Sequence, residues 1–271
     1  MTNPESAVQV PRSLRMPFRL ERAELLKLRK SYGVWIPTAL LTVGAMVVMY
    51  TAIELFHLSN SSKYGPAGGT LNFERATFLM GQLAGMIAAA LVGAAAGTQD
   101  LSSGVFRDLV STGRSRARLF LARIPGGLAL LLPFVAVAYA VAAVSSVVLA
   151  GGLATPSITL FVKTGLWVLL SAGIVYAVAL GLGSLVGSRA ATISILIAYL
   201  LPVQAIIRNI TVLGRARDGL LSVAVERLSP VPPPDPHDVV AMSLSTSLIV
   251  LALWIGIGLG VGLWRTQARD A

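Results

Sequence analysis

Cysteine is absent from the 271 residues, so no disulfide framework, thiolate nucleophile or cysteine metal site is possible. Histidine occurs twice, as His57 and His237. Both fall between apolar runs and neither belongs to an H-E-x-x-H pair that would hold zinc. No glycine is followed by lysine, which excludes a phosphate-cradling G-x-x-x-x-G-K-[ST] loop on this chain. Charge is scarce at 13%, against about a quarter in soluble domains. Inside the apolar runs it nearly vanishes. Glu54 and Lys163 sit near run ends, where long side chains reach the headgroups. Ion-coupled carriers place ionisable groups near the bilayer midplane, and none stands there. Leu101-Ser102-Ser103-Gly104 offers serines, but a serine nucleophile needs a neighbouring base and neither histidine lies in a run. No aspartate pair does either. An enzyme is therefore not expected, and the energy for any transport is expected from outside the chain.

Apolar sequence is what the chain has in abundance. It is 55% hydrophobic, with a mean hydropathy of +0.76. The apolar residues form six continuous runs, at 34–56, 76–98, 124–149, 158–186, 190–207 and 239–263. Each is about 18 residues or longer, enough for a helix to cross hydrocarbon. Gly187-Ser188-Arg189 divides the fourth run from the fifth. Backbone groups in lipid must be satisfied internally, and continuous rather than alternating runs select helices over a barrel. The expected fold is all-α and integral to the membrane, with six transmembrane helices. Residues 1–16 are expected to be a disordered cytoplasmic N-terminus, and 17–271 one transmembrane domain.

The net charge of +10 reads as basic loops rather than as a nucleic-acid surface. Fifteen of the cations fall before the first run, between the second and third, at Arg189, or after the sixth; six fall on the other side. The acids divide evenly. The positive-inside rule then places both termini in the cytoplasm. The N-terminal region is too long and charged for a cleavable signal peptide. Alanine- and arginine-rich, lysine-poor usage suggests a bacterial plasma membrane.

Residues 17–31 read as a helix lying at the cytoplasmic interface. Pro17 suits its first turn, Phe18, Leu25 and Leu28 share a face, and Glu24 can pair with Lys27 at i,i+3. The second run carries Gly81, Gly85, Ala89, Gly93 and Gly97 at four-residue spacing. Such a bare face permits close helix approach, either as ordinary packing or as a sliding or dimer interface. The fourth run offers Gly173, Ala177 and Gly181, and the sixth Gly256, Gly258, Gly260 and Gly262. In the long connection 208–238, Leu220, Leu221, Ala224 and Leu228 have helical spacing, so a short external helix is expected ahead of the stiff Pro230–Pro234 run.

Residues 97–123 are unusual beside two apolar runs. Thr98 and Asp100 can cap a helix start. The stretch 102–111 makes two to three turns, Gly113 stops them, and Ser115 restarts a helix leading into the third run. Phe106, Leu109 and Val110 share a face, while Arg107 and Asp108 point elsewhere. An apolar knob flanked by charges is the pattern of a docking element.

Two stretches carry a family resemblance. Glu24, Lys27, Leu28, Arg29 and Lys30 ahead of the first run resemble the N-terminal signature of ABC-transporter permeases of the type-2, exporter-like class. Asp100, Gly104, Arg107, Leu109, Ser111, Arg114, Arg116, Leu119, Ala122 and Arg123 resemble that class's segment after the second span. Val105 and Gly113 stand where the class has threonine and proline. The resemblance implies an interfacial connecting helix at the N-terminus. It also implies a cytoplasmic coupling helix, residues 100–114, seated on a separate ABC ATPase subunit. ATP and magnesium would be bound by that partner and no cofactor by this chain. It further implies a second permease chain, as a homo- or heterodimer. The substrate class left open is lipidic, peptide or hydrophobic drug-like. An ATP-independent carrier or channel and a non-transporting membrane adaptor share the topology.

Overall fold

The computed structural model describes residues 19–102, 115–234 and 240–268. Among these every regular element is helical. Helix α1 is Arg19–Lys30. Six helices long and apolar enough to cross a membrane follow: α2 (Tyr32–Ser59), α3 (Thr70–Gln99), α4 (Arg116–Val148), α5 (Ile158–Val186), α6 (Arg189–Asn209) and, last, α8 (Leu244–Ala268). Between α6 and α8 lie a 3₁₀ segment, Thr211–Gly219, and the short helix α7, Leu221–Arg227.

The six expected runs are all present, with shifted ends. α3 starts six residues earlier than the apolar run because Thr70, Asn72, Glu74 and Arg75 extend the helix beyond its hydrophobic part. α4 starts at Arg116, eight residues ahead of the apolar run, and the expected restart at Ser115 is present: its hydroxyl caps the helix, accepting from the Arg118 amide at 3.4 Å. α8 begins at Leu244 rather than 239. The division of the fourth and fifth runs is as expected. Gly187 closes α5 in the left-handed conformation at φ 75°, which glycine adopts without a Cβ penalty. The Ser188 hydroxyl then caps α6, accepting from the Ala191 amide.

One expected cap is absent. Helix continues through Thr98 and Asp100 to Ser102, so neither residue begins a helix. The Thr98 hydroxyl instead donates to the Ala94 carbonyl at 2.8 Å. A threonine that satisfies its hydroxyl on the preceding turn can sit inside a helix.

α3 and α5 form the core. The most apolar stretches of these helices are 67% and 72% buried, against 17% in α2, α6 and α8. The seam between them explains the difference. A Cβ on Gly93 would lie 2.6 Å from both the Ala179 Cβ and the Tyr176 carbonyl, and Gly97 packs on the backbone of Leu180, Gly183 and Ser184. Gly81 packs on the Trp167 ring, and Ala89 is buried. The small-residue stripe is thus filled inside the chain by α5, not left for a dimer partner. Gly85 departs from the stripe: a side chain there would meet only the Met80 carbonyl of its own helix. The π-helical turn Met80–Ala84 inserts a residue and resets the phase. On the far side of α5, Gly181 meets Gly258 and Gly262 of α8. Gly173, Gly256 and Gly260 have open space around them.

Candidate functional site

One end of the bundle gathers the start of α1, both ends of the 103–114 connection and the last turn of α8. It also carries most of the basic residues. Three arginines join helix ends there through backbone carbonyls. Arg116 Nη1 donates to the Gln267 carbonyl at 2.9 Å, tying α4 to α8. Arg123 Nη1 donates to the Gly97 carbonyl at 3.4 Å, tying α4 to α3. Arg189 donates to the Gly33 carbonyl, tying α6 to α2. The Gly97 carbonyl also accepts from the Ser184 hydroxyl at 3.3 Å, which adds α5. The Gly97 and Gln267 carbonyls lie toward C-terminal helix ends, whose partial negative charge favours cations, while the Gly33 carbonyl in the first turn of α2 is freed by Pro37, which has no amide hydrogen to bond it.

Arg123 is the residue that sequence reasoning undervalued. It counted as one loop cation, yet it lies two turns inside α4 and is 1% exposed. Its own carbonyl accepts from the Tyr176 hydroxyl at 2.6 Å, and Tyr176 is completely buried. Gly127 admits that hydroxyl, since a Cβ there would overlap the tyrosine ring. The signal was Arg123-Ile-Pro-Gly-Gly127: two glycines one turn after an arginine make room for large neighbours.

α1 lies against the start of α4. Its Glu24 packs on Gly126, where an added Cβ would come within 2.6 Å of the Glu24 Cβ. The expected Glu24–Lys27 pair is present at 2.6 Å. Leu28 is buried and Leu25 half-buried, while Arg29 and Lys30 are exposed. Gln99 at the end of α3 reaches the Lys27 carbonyl at 3.5 Å. Phe18 lies outside the described residues. So do Gly104, Phe106, Arg107, Asp108, Leu109, Val110, Gly113 and Arg114. Asp100 lies just past α3, on the helical continuation to Ser102.

The opposite end holds a second constellation. α7 has seven residues, and Leu221, Val223, Ala224 and Val225 are buried. Of the four residues expected at helical spacing, Leu220, Leu221 and Ala224 are buried and Leu228 is half-buried, with Leu220 and Leu228 flanking the helix; the helix is covered on nearly every side rather than on one face. A short buried helix leaves backbone groups unsatisfied at both ends, and irregular backbone at membrane depth survives only where protein satisfies it. Four spans do so. At the start, the Tyr199 hydroxyl accepts from the Leu221 amide at 3.3 Å and Gln204 Oε1 accepts from the Ser222 amide at 2.7 Å. Along the helix, Gln82 Nε2 donates to the Ser222 carbonyl at 3.3 Å, and the Ser247 hydroxyl donates to the Ala224 carbonyl at 2.8 Å. Trp167 Nε1 donates to the Val225 carbonyl at 2.9 Å. Arg208 grips Glu226 through two bonds of 2.7 and 2.9 Å. Two of these helices carry π-helical turns at this level, Met80–Ala84 and Tyr199–Val203. A π turn widens the helix and re-aims its side chains; here the turns present Gln82 and Tyr199 to α7.

Beside this plug, α5, α6 and α8 enclose a cleft of about 580 Å³. Its walls are aliphatic apart from Tyr199 and Trp254, whose rings meet at 5.2 Å. Trp254 Nε1 is tethered to the Gly219 carbonyl at 3.0 Å. The size and apolar lining are those of a site for a hydrophobic small molecule or chain.

The sequence matches no family model, and no curated protein matches it at a significant level.

Proposed function

We propose that this chain is the membrane-spanning permease subunit of an exporter-class ABC transporter. Its energy comes from ATP hydrolysed, with magnesium, in a separate ATPase subunit. One observation carries the reading: both helices flanking residues 103–114 are joined to their neighbours by close backbone contacts and backbone-anchored arginines. α3 leads into that connection from the glycine seam with α5. α4 leads out of it through Arg116, Arg123 and the α1 contact. A push on 103–114 would therefore pass through α3 to α5 and through α4 to α1 and α8. Residues 100–114 are the coupling helix in this reading, α1 is the interfacial helix, and the arginine-rich end faces the cytoplasm of a bacterial cell. A second permease chain completes the assembly. The apolar cleft fits a lipidic or otherwise hydrophobic cargo.

Co-expression with the ATPase subunit encoded beside it, followed by mild solubilisation, is expected to yield both proteins at equal stoichiometry. Phe106→Asp should then reduce substrate-stimulated ATPase activity about 30-fold, the loss of one docking anchor, while the permease still purifies as a folded protein. Unchanged stimulation in that variant would remove Phe106 from the interface. Transport by the permease alone in liposomes would replace this reading with that of a carrier.

Orientation has its own test, made simple by the absence of native cysteine. In intact cells a membrane-impermeant maleimide is expected to label Ser62→Cys, in the loop between α2 and α3, and to leave Ser115→Cys unlabelled until the cells are opened. The reverse pattern would invert the topology.

A further inference from the structure

The end of the bundle opposite the arginine collar holds a cavity of about 410 Å³ between α2, α3 and the loop that joins them. Two cations line it, Lys63 from the loop and Arg75 from α3. Among the described residues neither meets a carboxylate: the ion pairs there are Lys27–Glu24 and Arg208–Glu226. Lys63 lies over the Tyr64 ring at 5.1 Å, a contact that leaves its ammonium free to accept an anion. Three of the four other arginines at this end are committed, and the fourth, Arg215, is exposed on the 3₁₀ segment. Arg208 holds Glu226, Arg217 holds the Gly214 and Arg208 carbonyls, and Arg227 holds the Met242 carbonyl.

The cavity is rigidly framed. Loop residue Gly68 donates to the Leu149 carbonyl at 2.8 Å and Gly69 to the Ser146 carbonyl at 2.8 Å, while Thr70 donates to the Ala154 carbonyl at 2.9 Å. Gly68 is pressed so closely on the Leu149 backbone that no side chain fits. The Asn72 amide nitrogen reaches the Pro66 carbonyl at 3.2 Å and the Gly68 carbonyl at 3.4 Å. Ordinary interfacial cations extend freely into the headgroup layer, whereas these two share one preformed hollow. Apart from Asn72 and Tyr64, the rest of its lining is apolar. Phe56, Leu71 and Leu153 are all about half or more exposed, and Phe56 packs on Tyr64 at 5.5 Å between rings. Phe56 and Leu71 lie on helices that continue into the apolar belt.

We infer that this cavity binds an anionic phospholipid, with its phosphate held between Lys63 and Arg75 and an acyl chain lying along Phe56 and Leu71. A net negative headgroup is selected because two unneutralised cations face it, and a chain because aromatic and aliphatic side chains fill the remaining wall. The assignment stands apart from the ATPase reading, since it uses no residue of the arginine-rich end.

The test is competitive lipid binding to the purified full chain, followed by native mass spectrometry with equal phosphatidylglycerol and phosphatidylcholine. The wild type is expected to retain phosphatidylglycerol preferentially. Lys63→Gln with Arg75→Gln should lower that preference about tenfold, whereas Lys63→Arg with Arg75→Lys should keep it. Phe56→Ala should weaken retention of both lipids alike. An unchanged preference in the double glutamine variant would overturn the site. Displacement of the lipid by millimolar glycerol phosphate would overturn its assignment to a membrane lipid in favour of a free anion. Each variant's elution as a single species, together with the charge-keeping pair, separates lost binding from lost folding.

Discussion

Gly93→Leu is expected to prevent stable assembly of the bundle. At Gly93 an added Cβ would lie 2.6 Å from the Tyr176 carbonyl and 3.0 Å from the Leu180 amide. Both are helix backbone and neither can rotate aside. α5 cannot retreat as a whole either. Tyr176 is fastened to the Arg123 carbonyl at 2.6 Å, Trp167 is fastened to α7, and Gly181 rests on Gly258 of α8. Overpacking by a methylene or two costs about 1–3 kcal/mol where neighbours are side chains; four heavy atoms driven into backbone should exceed the top of that range. For a chain of this size that corresponds to a fall in Tm of roughly 10 °C or more, readable as loss of the monodisperse peak after heating in detergent. Gly256→Leu and Gly260→Leu provide the contrast, because both glycines face open space and should leave Tm within a degree or two. Equal losses at Gly93 and Gly256 would mean that leucine at any span glycine is harmful and that the seam has no special role.

The contrast also marks how far periodicity carries in a membrane helix. Spacing of four identified the stripe on α3, and it identified glycines on α8 without separating Gly258 and Gly262, which pack, from Gly256 and Gly260, which do not. Only the position of the neighbouring helix separates them. The six spans were legible because hydrocarbon imposes a length on apolar sequence. The polar extension of α4 was legible from Ser115, but that of α3 was not, since hydropathy ends where the lipid does while hydrogen bonding continues the helix back to Thr70. The burial of Arg123 was not legible either, because its surroundings come from Gly97 and Tyr176 on other helices. The i,i+3 pair of Glu24 and Lys27 was legible because it is local. The support of α7 was not, because Gln82, Trp167, Gln204 and Ser247 are scattered over 166 positions of sequence, from 82 to 247. Each looks like an ordinary polar residue in a span. Their shared purpose emerges when one unsatisfied stretch of backbone lies between them.

The last expectation concerns that stretch. Trp167→Ala should release α7 from the bundle. The indole is 3% exposed, stacks on Phe78 at 6.2 Å, fills the hollow above Gly81 and donates to the Val225 carbonyl at 2.9 Å. Removing it opens a cavity, at about 3–5 kcal/mol for a buried tryptophan, and also takes one of two donors from the Val225 carbonyl, which keeps the Leu228 amide at 3.2 Å. Trp167→Phe separates the two effects, since it keeps most of the volume and loses the bond, at about 0.5–1.5 kcal/mol. Val225 itself is 1% exposed, so a cysteine there reports directly on opening. In an otherwise cysteine-free chain, Val225→Cys is expected to resist a water-soluble maleimide in the parent protein. It should label slowly with Trp167→Phe and rapidly with Trp167→Ala. Resistance in all three backgrounds, with each protein still eluting as a folded species, would show that Gln82, Gln204, Ser247 and the Arg208–Glu226 pair hold α7 without the indole. Graded labelling would identify α7 as the least stable packed element at that end of the bundle. Opening α7 breaks side-chain bonds to one seven-residue helix and leaves the α3–α5 seam intact.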